Sequence, residues 1–196
     1  MNHLLTPIVL AAGASSRMGT SKALLDFGGR TALDRVLDTA AGFGKAVVVL
    51  GSGAEEIEKR CELGRATVVR NSDWAKGMTS SLQTGLKALP ENAEGFFVWP
   101  VDLPLVPAET LRELGMRFWI LRQNRRRPIV IPKASRRGHP VLFDRVYADE
   151  VLALSSGEPP RTVVDRHAAQ VEEIPAGDVT VRDLDTPEDY ARAAKR

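Results

Sequence analysis

Apolar residues fall along this chain in two alternating patterns. Short unbroken runs, "PIVLAA" at 7–12, "KAVVVLG" at 45–51, "ATVVRN" at 66–71 and "EGFFVWPVD" at 94–102, show no polar-apolar alternation. Runs of this kind predict strands covered on both faces, as in a parallel sheet. Between them the apolar positions recur with helical spacing, and in "TALDRVLDTAAGF" Leu33, Val36, Leu37 and Ala40 share one face. "AEEIEKRCEL", "SSLQTGLKAL" and "AETLRELGMRFWILRQ" read as further helices, the last behind Pro107. "PIVIP" and "HPVLF" then predict two short strands, and "DRVYADEVLAL" a helix. "TPEDYARAAKR" closes the chain as a helix with Thr186 at its cap and Pro187 in its first position. Strands alternating with helices predict an α/β protein with a mainly parallel twisted sheet, helices on both faces, and ligands at the carboxyl ends of the strands.

The first strand runs into "AAGASSRMGTSK", and that loop carries the first chemical signal. Gly13 is placed to turn the backbone, and Ala14, Ser15 and Ser16 leave their N–H groups unshielded. Arg17 and Lys22 add two cations, so the loop suits a polyphosphate better than a carboxylate. A Gly/Ser turn with two solvated cations is the plainer reading. Neither standard phosphate motif fits: Gly19 is followed by Thr20 rather than the lysine of a P-loop, and "GSGAEE" at 51–56 lacks the third glycine of GxGxxG. Gly51 and Gly53 read as a strand-to-helix turn.

Composition narrows the class. The chain has 196 residues, 43% of them hydrophobic, and a formal net charge of +2, which fits one globular domain over residues 1–196 and gives no overall bias toward nucleic acid or an acidic membrane. The basic stretch "RQNRRRP", with Arg136 and Arg137, is either a solvated helix end or a contact for an anion. One cysteine, Cys61, excludes an intrachain disulfide framework and fits a reducing cytoplasm. The apolar start lacks the basic residues of an export signal and is interrupted by Pro7, and no apolar stretch is long enough to span a membrane.

Three further places carry candidate chemistry. Asp102, at the end of "FFVWPV", is suited to Mg2+, which takes one or two carboxylates together with substrate phosphates. Asp185, in "RDLDTPEDY", either joins the same metal or, like Asp183, caps the last helix. In "NSDWAKGMTSSLQTGL", Ser80 and Ser81 offer hydroxyls at a helix start, one of which ordinary capping explains, and Trp74 reads as a packed loop anchor. In "RRGHPVLF", Gly138 allows close backbone approach and His139 faces either a substrate or nothing catalytic.

These segments, taken in order, make a resemblance. "LAAGASSRMGTSKALLDFGG", "NSDWAKGMTSSLQTGL", "VDLP", "GHPVLF" and "DLDTPEDY" resemble the MobA-like nucleotidyltransferases of molybdenum cofactor biosynthesis, above all the molybdenum cofactor cytidylyltransferases, from Ile8 to Tyr190. The resemblance implies a Rossmann-like nucleotidyltransferase fold and a magnesium-dependent transfer of a nucleoside monophosphate to a phosphate-bearing acceptor, with pyrophosphate released. It implies nucleotide contacts at Leu10, Ala11, Ala12, Gly13, Arg17, Lys22, Asn71, Ser80 and Ser81, with Arg17, Lys22 and Asp102 catalytic. It further implies metal ligands Asp102 and Asp185, and acceptor contacts at Gly138, His139 and Arg161. LAAG, where the guanylyltransferases read LAGG, favours CTP over GTP. The implied acceptor is molybdopterin and an implied partner is a molybdoenzyme. "GEPPRTVV" keeps Gly157 and Arg161 of the family's GDxGxR-like stretch but replaces its middle, so a sugar phosphate or alditol phosphate stays open as acceptor. A non-catalytic pterin-nucleotide carrier or insertion chaperone is the alternative from another class, and a nicotinamide dehydrogenase is a weaker one.

Overall fold

In a computed structural model, which describes residues 1–16, 18–155 and 157–194, the apolar runs become the centre of one sheet. Its strands are β1 (Leu5–Ala11), β2 (Val47–Leu50), β3 (Thr67–Arg70), β4 (Gly95–Pro100), β5 (Ile129–Lys133), β6 (Val141–Asp144) and β7 (Val171–Pro175), in the order β3-β2-β1-β4-β6-β5-β7. The pairs β1–β2, β1–β4, β2–β3 and β5–β7 are parallel, and β6 runs antiparallel to both β4 and β5. Every residue of β1, β2 and β4 is buried, because both faces of the central strands are covered.

The helices are α1 (Ala32–Ala40), α2 (Ala54–Arg60), α3 (Met78–Leu86), α4 (Ala108–Gln123), α5 (Ala148–Leu152), α6 (Arg161–Arg166) and α7 (Pro187–Ala194). One core unites Val9, Leu33, Val36, Leu37, Trp99 and Phe118, and the core on the opposite face unites Ile8, Val49, Leu82, Val98 and Phe143. Alternate residues of each strand serve the two cores, as the pleat requires.

Two predicted elements differ. The helix expected over "DRVYADEVLAL" is a single 3-10 turn, Arg145–Tyr147, followed by the short α5, because the Asp144 carboxylate accepts from Val146 N at 3.1 Å and begins a tight turn. The sharp turn expected at Gly13 lies elsewhere: among the described residues of the loop, Ser15 (φ 51°) and Gly19 (φ 68°) are left-handed. Strand β7 and helix α6 were not anticipated. In the basic stretch that begins at the end of α4, Arg122 pairs with Glu94 at 2.5 Å and Arg126 with Glu172 at 3.4 Å.

Helix α3 lies against the sheet through Gly85, where an added Cβ would fall 2.5 Å from Ile8 Cγ2 and 3.0 Å from Val49 Cγ2. In an open helix, Gly→Ala stabilises by about 1 kcal/mol. Here overpacking, at about 1–3 kcal/mol, outweighs that gain. Gly85→Ala therefore lowers the melting temperature by several degrees in a calorimetric scan; a rise would show that α3 has room to move.

Candidate functional site

The strand order places the site. From β1 the chain builds outward to β2 and β3, then returns across β1 to β4, so the carboxyl ends of β1 and β4 flank a topological switch point. The ladder continues one step past the strands, with Val101 N donating to Leu10 O at 3.1 Å, and this sets Asp102 at the mouth of the loop that leaves β1. That loop is closed by Met18 N on Ser15 O at 2.9 Å and Lys22 N on Ser15 Oγ at 3.0 Å.

The end of the chain completes the site. Leu184 N donates to Asp102 O at 3.2 Å, while its side chain is buried in a small cluster with Met18, Leu25 and Phe27. Tyr190 braces the same contact, its hydroxyl donating to Asp26 O at 2.5 Å and its ring meeting Phe27 edge-on at 5.5 Å. Asp185 is thereby carried beside Asp102. Lys22 Nζ donates to both carboxylates, at 2.9 Å to Asp102 Oδ2 and 2.6 Å to Asp185 Oδ1. Burial disfavours the ammonium charge, but the attraction and hydrogen bonds of Asp102 and Asp185 outweigh it, so the Lys22 pKa is raised. The helix cap belongs to Thr186, whose hydroxyl accepts from Asp189 N at 3.2 Å while Asp189 Oδ2 accepts from Thr186 N at 3.1 Å.

The other oxygen of Asp102, Oδ1, is buried and has no hydrogen-bond partner among the described residues. Two convergent carboxylates, one with an orphaned oxygen, are the hard donor set that a divalent cation takes. Among the described residues no group of three or more His, Cys, Asp or Glu side chains is arranged to hold a metal, so a cation here would draw its remaining ligands from substrate phosphates and water.

A cleft of about 300 Å³ opens between the loop and α3, lined by Leu10 to Gly13, Lys22, Trp74, Ser81, Asp102 and Asp185. Ser81 reaches it; Asn71 and Ser80 stand behind. Asn71 Nδ2 donates to Ser80 Oγ at 3.0 Å and to Ser81 Oγ at 3.1 Å, and Asn71 Oδ1 accepts from Asp73 N at 2.9 Å. Asn71 is thus a bracket that holds the start of α3. Arg17 lies outside the described residues.

A second cavity, about 400 Å³, brings the three acceptor-side candidates Gly138, His139 and Arg161 together with Phe143 and Pro160. Gly138 is required for packing, since an added Cβ would fall 2.4 Å from Thr180 O. The His139 ring nitrogen Nδ1 lies 3.3 Å from Val98 O. Sequence reasoning missed Met78, which lines both cavities.

A switch-point cleft flanked by an N–H-rich loop and a carboxylate pair defines a nucleotide-binding α/β protein. Residues 7–171 match the MobA-like NTP transferase domain, and the chain belongs to that nucleotidyltransferase family. It is 32% identical over 158 residues to nicotine blue oxidoreductase of Paenarthrobacter nicotinovorans, covering 78% of this chain and 77% of that protein. It is 26% identical over 195 residues to the molybdenum cofactor cytidylyltransferase of Escherichia coli (strain K12), covering 96% and 95%. Rv0371c from Mycobacterium tuberculosis H37Rv superposes with a TM-score of 0.84 at 31% identity, covering 98% of this chain and 97% of that one. The same protein has also been solved in complex with manganese.

Burial lowers the His139 pKa below 6.5, against the Val98 carbonyl, Asp102 and Asp183, which favour protonation, and with Arg136, which opposes it. The ring is neutral when folded at pH 7. Its depressed pKa means that stability is full above about 6.5 and is lost as pH falls through the folded value. Between pH 7.5 and 5 the melting temperature of the wild type should therefore fall more steeply than that of His139→Gln; parallel profiles would contradict this burial.

Proposed function

We propose that the chain transfers a nucleoside monophosphate from a nucleoside triphosphate, CTP in the first place, to a phosphate-bearing acceptor of the molybdopterin kind, with release of pyrophosphate. The observation that carries this reading is the meeting of Lys22, Asp102 and Asp185 at the mouth of the β1 loop. CTP is supported by the LAAG reading of that loop and by the Escherichia coli relative.

The loop from Ala12 to Lys22 would receive the triphosphate, and Gly13, whose missing Cβ leaves open space beside it, would let phosphates approach the backbone closely. Lys22 would neutralise phosphate charge as a compact cation. Arg17 is proposed for the same task. Ser81 would hold the ribose or base, with Asn71 and Ser80 fixing its orientation. Asp102 and Asp185 would hold a divalent cation, magnesium or manganese, which when bound supplies charge neutralisation to the phosphates. The acceptor would enter from the His139 cavity, with Gly138 and Arg161 on its wall. An oxygen of its phosphate forms a bond to the α-phosphorus while the bond from that phosphorus to the bridging oxygen breaks, and the electron pair leaves on pyrophosphate. The acceptor oxygen is already ionised at pH 7, so positioning and charge do the catalysis and no general base is needed. His139, neutral and bound toward Val98, is read as a wall of the acceptor cavity.

An oxidoreductase reading has a relative behind it, but "GSGAEE" does not support it. Gly51 is packed, a Cβ there falling 2.6 Å from Trp74 Cβ and 2.7 Å from Ala12 O, and Gly53 begins α2.

The reading is tested by pyrophosphate release with magnesium, crossing CTP, GTP and ATP with molybdopterin and small sugar and alditol phosphates. CTP with molybdopterin should be the fastest pair. Lys22→Ala should lower kcat/KM by about 10²-fold or more. Asp102→Asn, which keeps the shape and loses the charge, should abolish turnover and alter the metal dependence while nucleotide binding survives. Preference for GTP would overturn the choice of nucleotide. Binding without turnover would favour a carrier, and NADH binding without CTP binding would favour the oxidoreductase.

A further inference from the structure

Helix α3 begins with a large apolar side chain in the wrong place for packing. Met78 is 47% exposed, although it stands four residues before the fully buried Leu82 on the same helical face. Among the described residues it alone lines both cavities, the one between the β1 loop and α3 and the one that holds His139.

Its backbone is pinned on either side. Thr79, buried, donates through Oγ1 to Glu158 O at 2.5 Å, which ties α3 to the segment that supplies Pro159, Pro160 and Arg161 to the second cavity. Ser81, buried, is held by Asn71. Gly77, ahead of it, takes φ 102°, a conformation that lets the chain enter the helix abruptly. The side chain of Met78 is therefore the adjustable part of a fixed frame, and an unbranched thioether with three rotatable bonds suits that task. On the acceptor side it lines the same cavity as the apolar side chains of Val98, Ile131, Val141 and Phe143.

We propose that Met78 is the partition between donor and acceptor cavities: a positioning residue that keeps water from the α-phosphorus until an acceptor lies against it. The proposal rests on the nucleotidyl-transfer reading above. The leak it prevents is hydrolysis, in which a water oxygen forms the bond to the α-phosphorus, the bond to the bridging oxygen breaks, pyrophosphate leaves with the electron pair, and the water proton passes to solvent.

The test compares wild type, Met78→Ala, Met78→Leu and Met116→Ala, the last an exposed methionine on α4 remote from both cavities. CTP and magnesium are supplied with and without molybdopterin; free CMP, transferred CMP and CTP affinity are measured, and each variant is first shown to melt like the wild type. Met78→Ala should raise the ratio of free to transferred CMP about tenfold. It should also raise KM for molybdopterin with CTP affinity unchanged. Met78→Leu, of similar volume, should restore the wild-type ratio, and Met116→Ala should match it. An unchanged ratio and KM in Met78→Ala, with the wild type active, would overturn the partition alone. A wild type that neither transfers nor hydrolyses any nucleotide would overturn the transfer reading and the partition with it.

Discussion

The site depends on the Lys22 ammonium, held between two carboxylates that are far from it in sequence. Lys22 is 80 residues from Asp102 and 163 from Asp185, and its ammonium reaches both. Two carboxylates so placed repel one another, and the ammonium between them offsets that repulsion. The same arrangement explains why the end of the chain is docked: Leu184 on Asp102 O and Tyr190 on Asp26 are needed to bring Asp185 to the lysine.

As a stability device the triad would be a poor one, since partly buried ion pairs return little more than the desolvation they cost. On the proposed reading its worth lies in exchange. The lysine would leave the carboxylate pair for a phosphate, Asp102 and Asp185 would then hold a divalent cation, and until substrate arrived the ion pairs would keep the site organised. The Oδ1 of Asp102 is consistent with that reading, being a buried oxygen for which the described residues supply no donor.

Much of this was legible in the sequence because the strongest signals are local. Unbroken apolar runs marked β1, β2 and β4, and an aspartate two residues beyond "FFVWP" marked the strand end at which the cleft opens. Strand β7 escaped because "VEEIP" is a half-buried edge with two glutamates, whose partners Arg117, Lys133 and Arg137 lie far away in sequence. Helix α6 is only six residues long and too short to show a periodicity, although Pro160 stands at its start, where proline is at home. Met78 stands four residues before Leu82, and nothing local in the sequence shows that it is exposed between two cavities rather than packed in the core. The choice between capping and ligation at Asp185 was likewise undecidable locally, because what turns its carboxylate inward is a lysine at the opposite end of the chain.

The central claim is that Lys22 stands where a metal and a triphosphate meet. A crystal structure of the protein with CTP and manganese tests it most directly, through the anomalous signal of the metal. The account predicts that signal between the carboxylates of Asp102 and Asp185, with the Lys22 ammonium moved onto a phosphate oxygen in the β1 loop. Manganese and nucleotide bound elsewhere, with Lys22 still bridging the two aspartates, would contradict it.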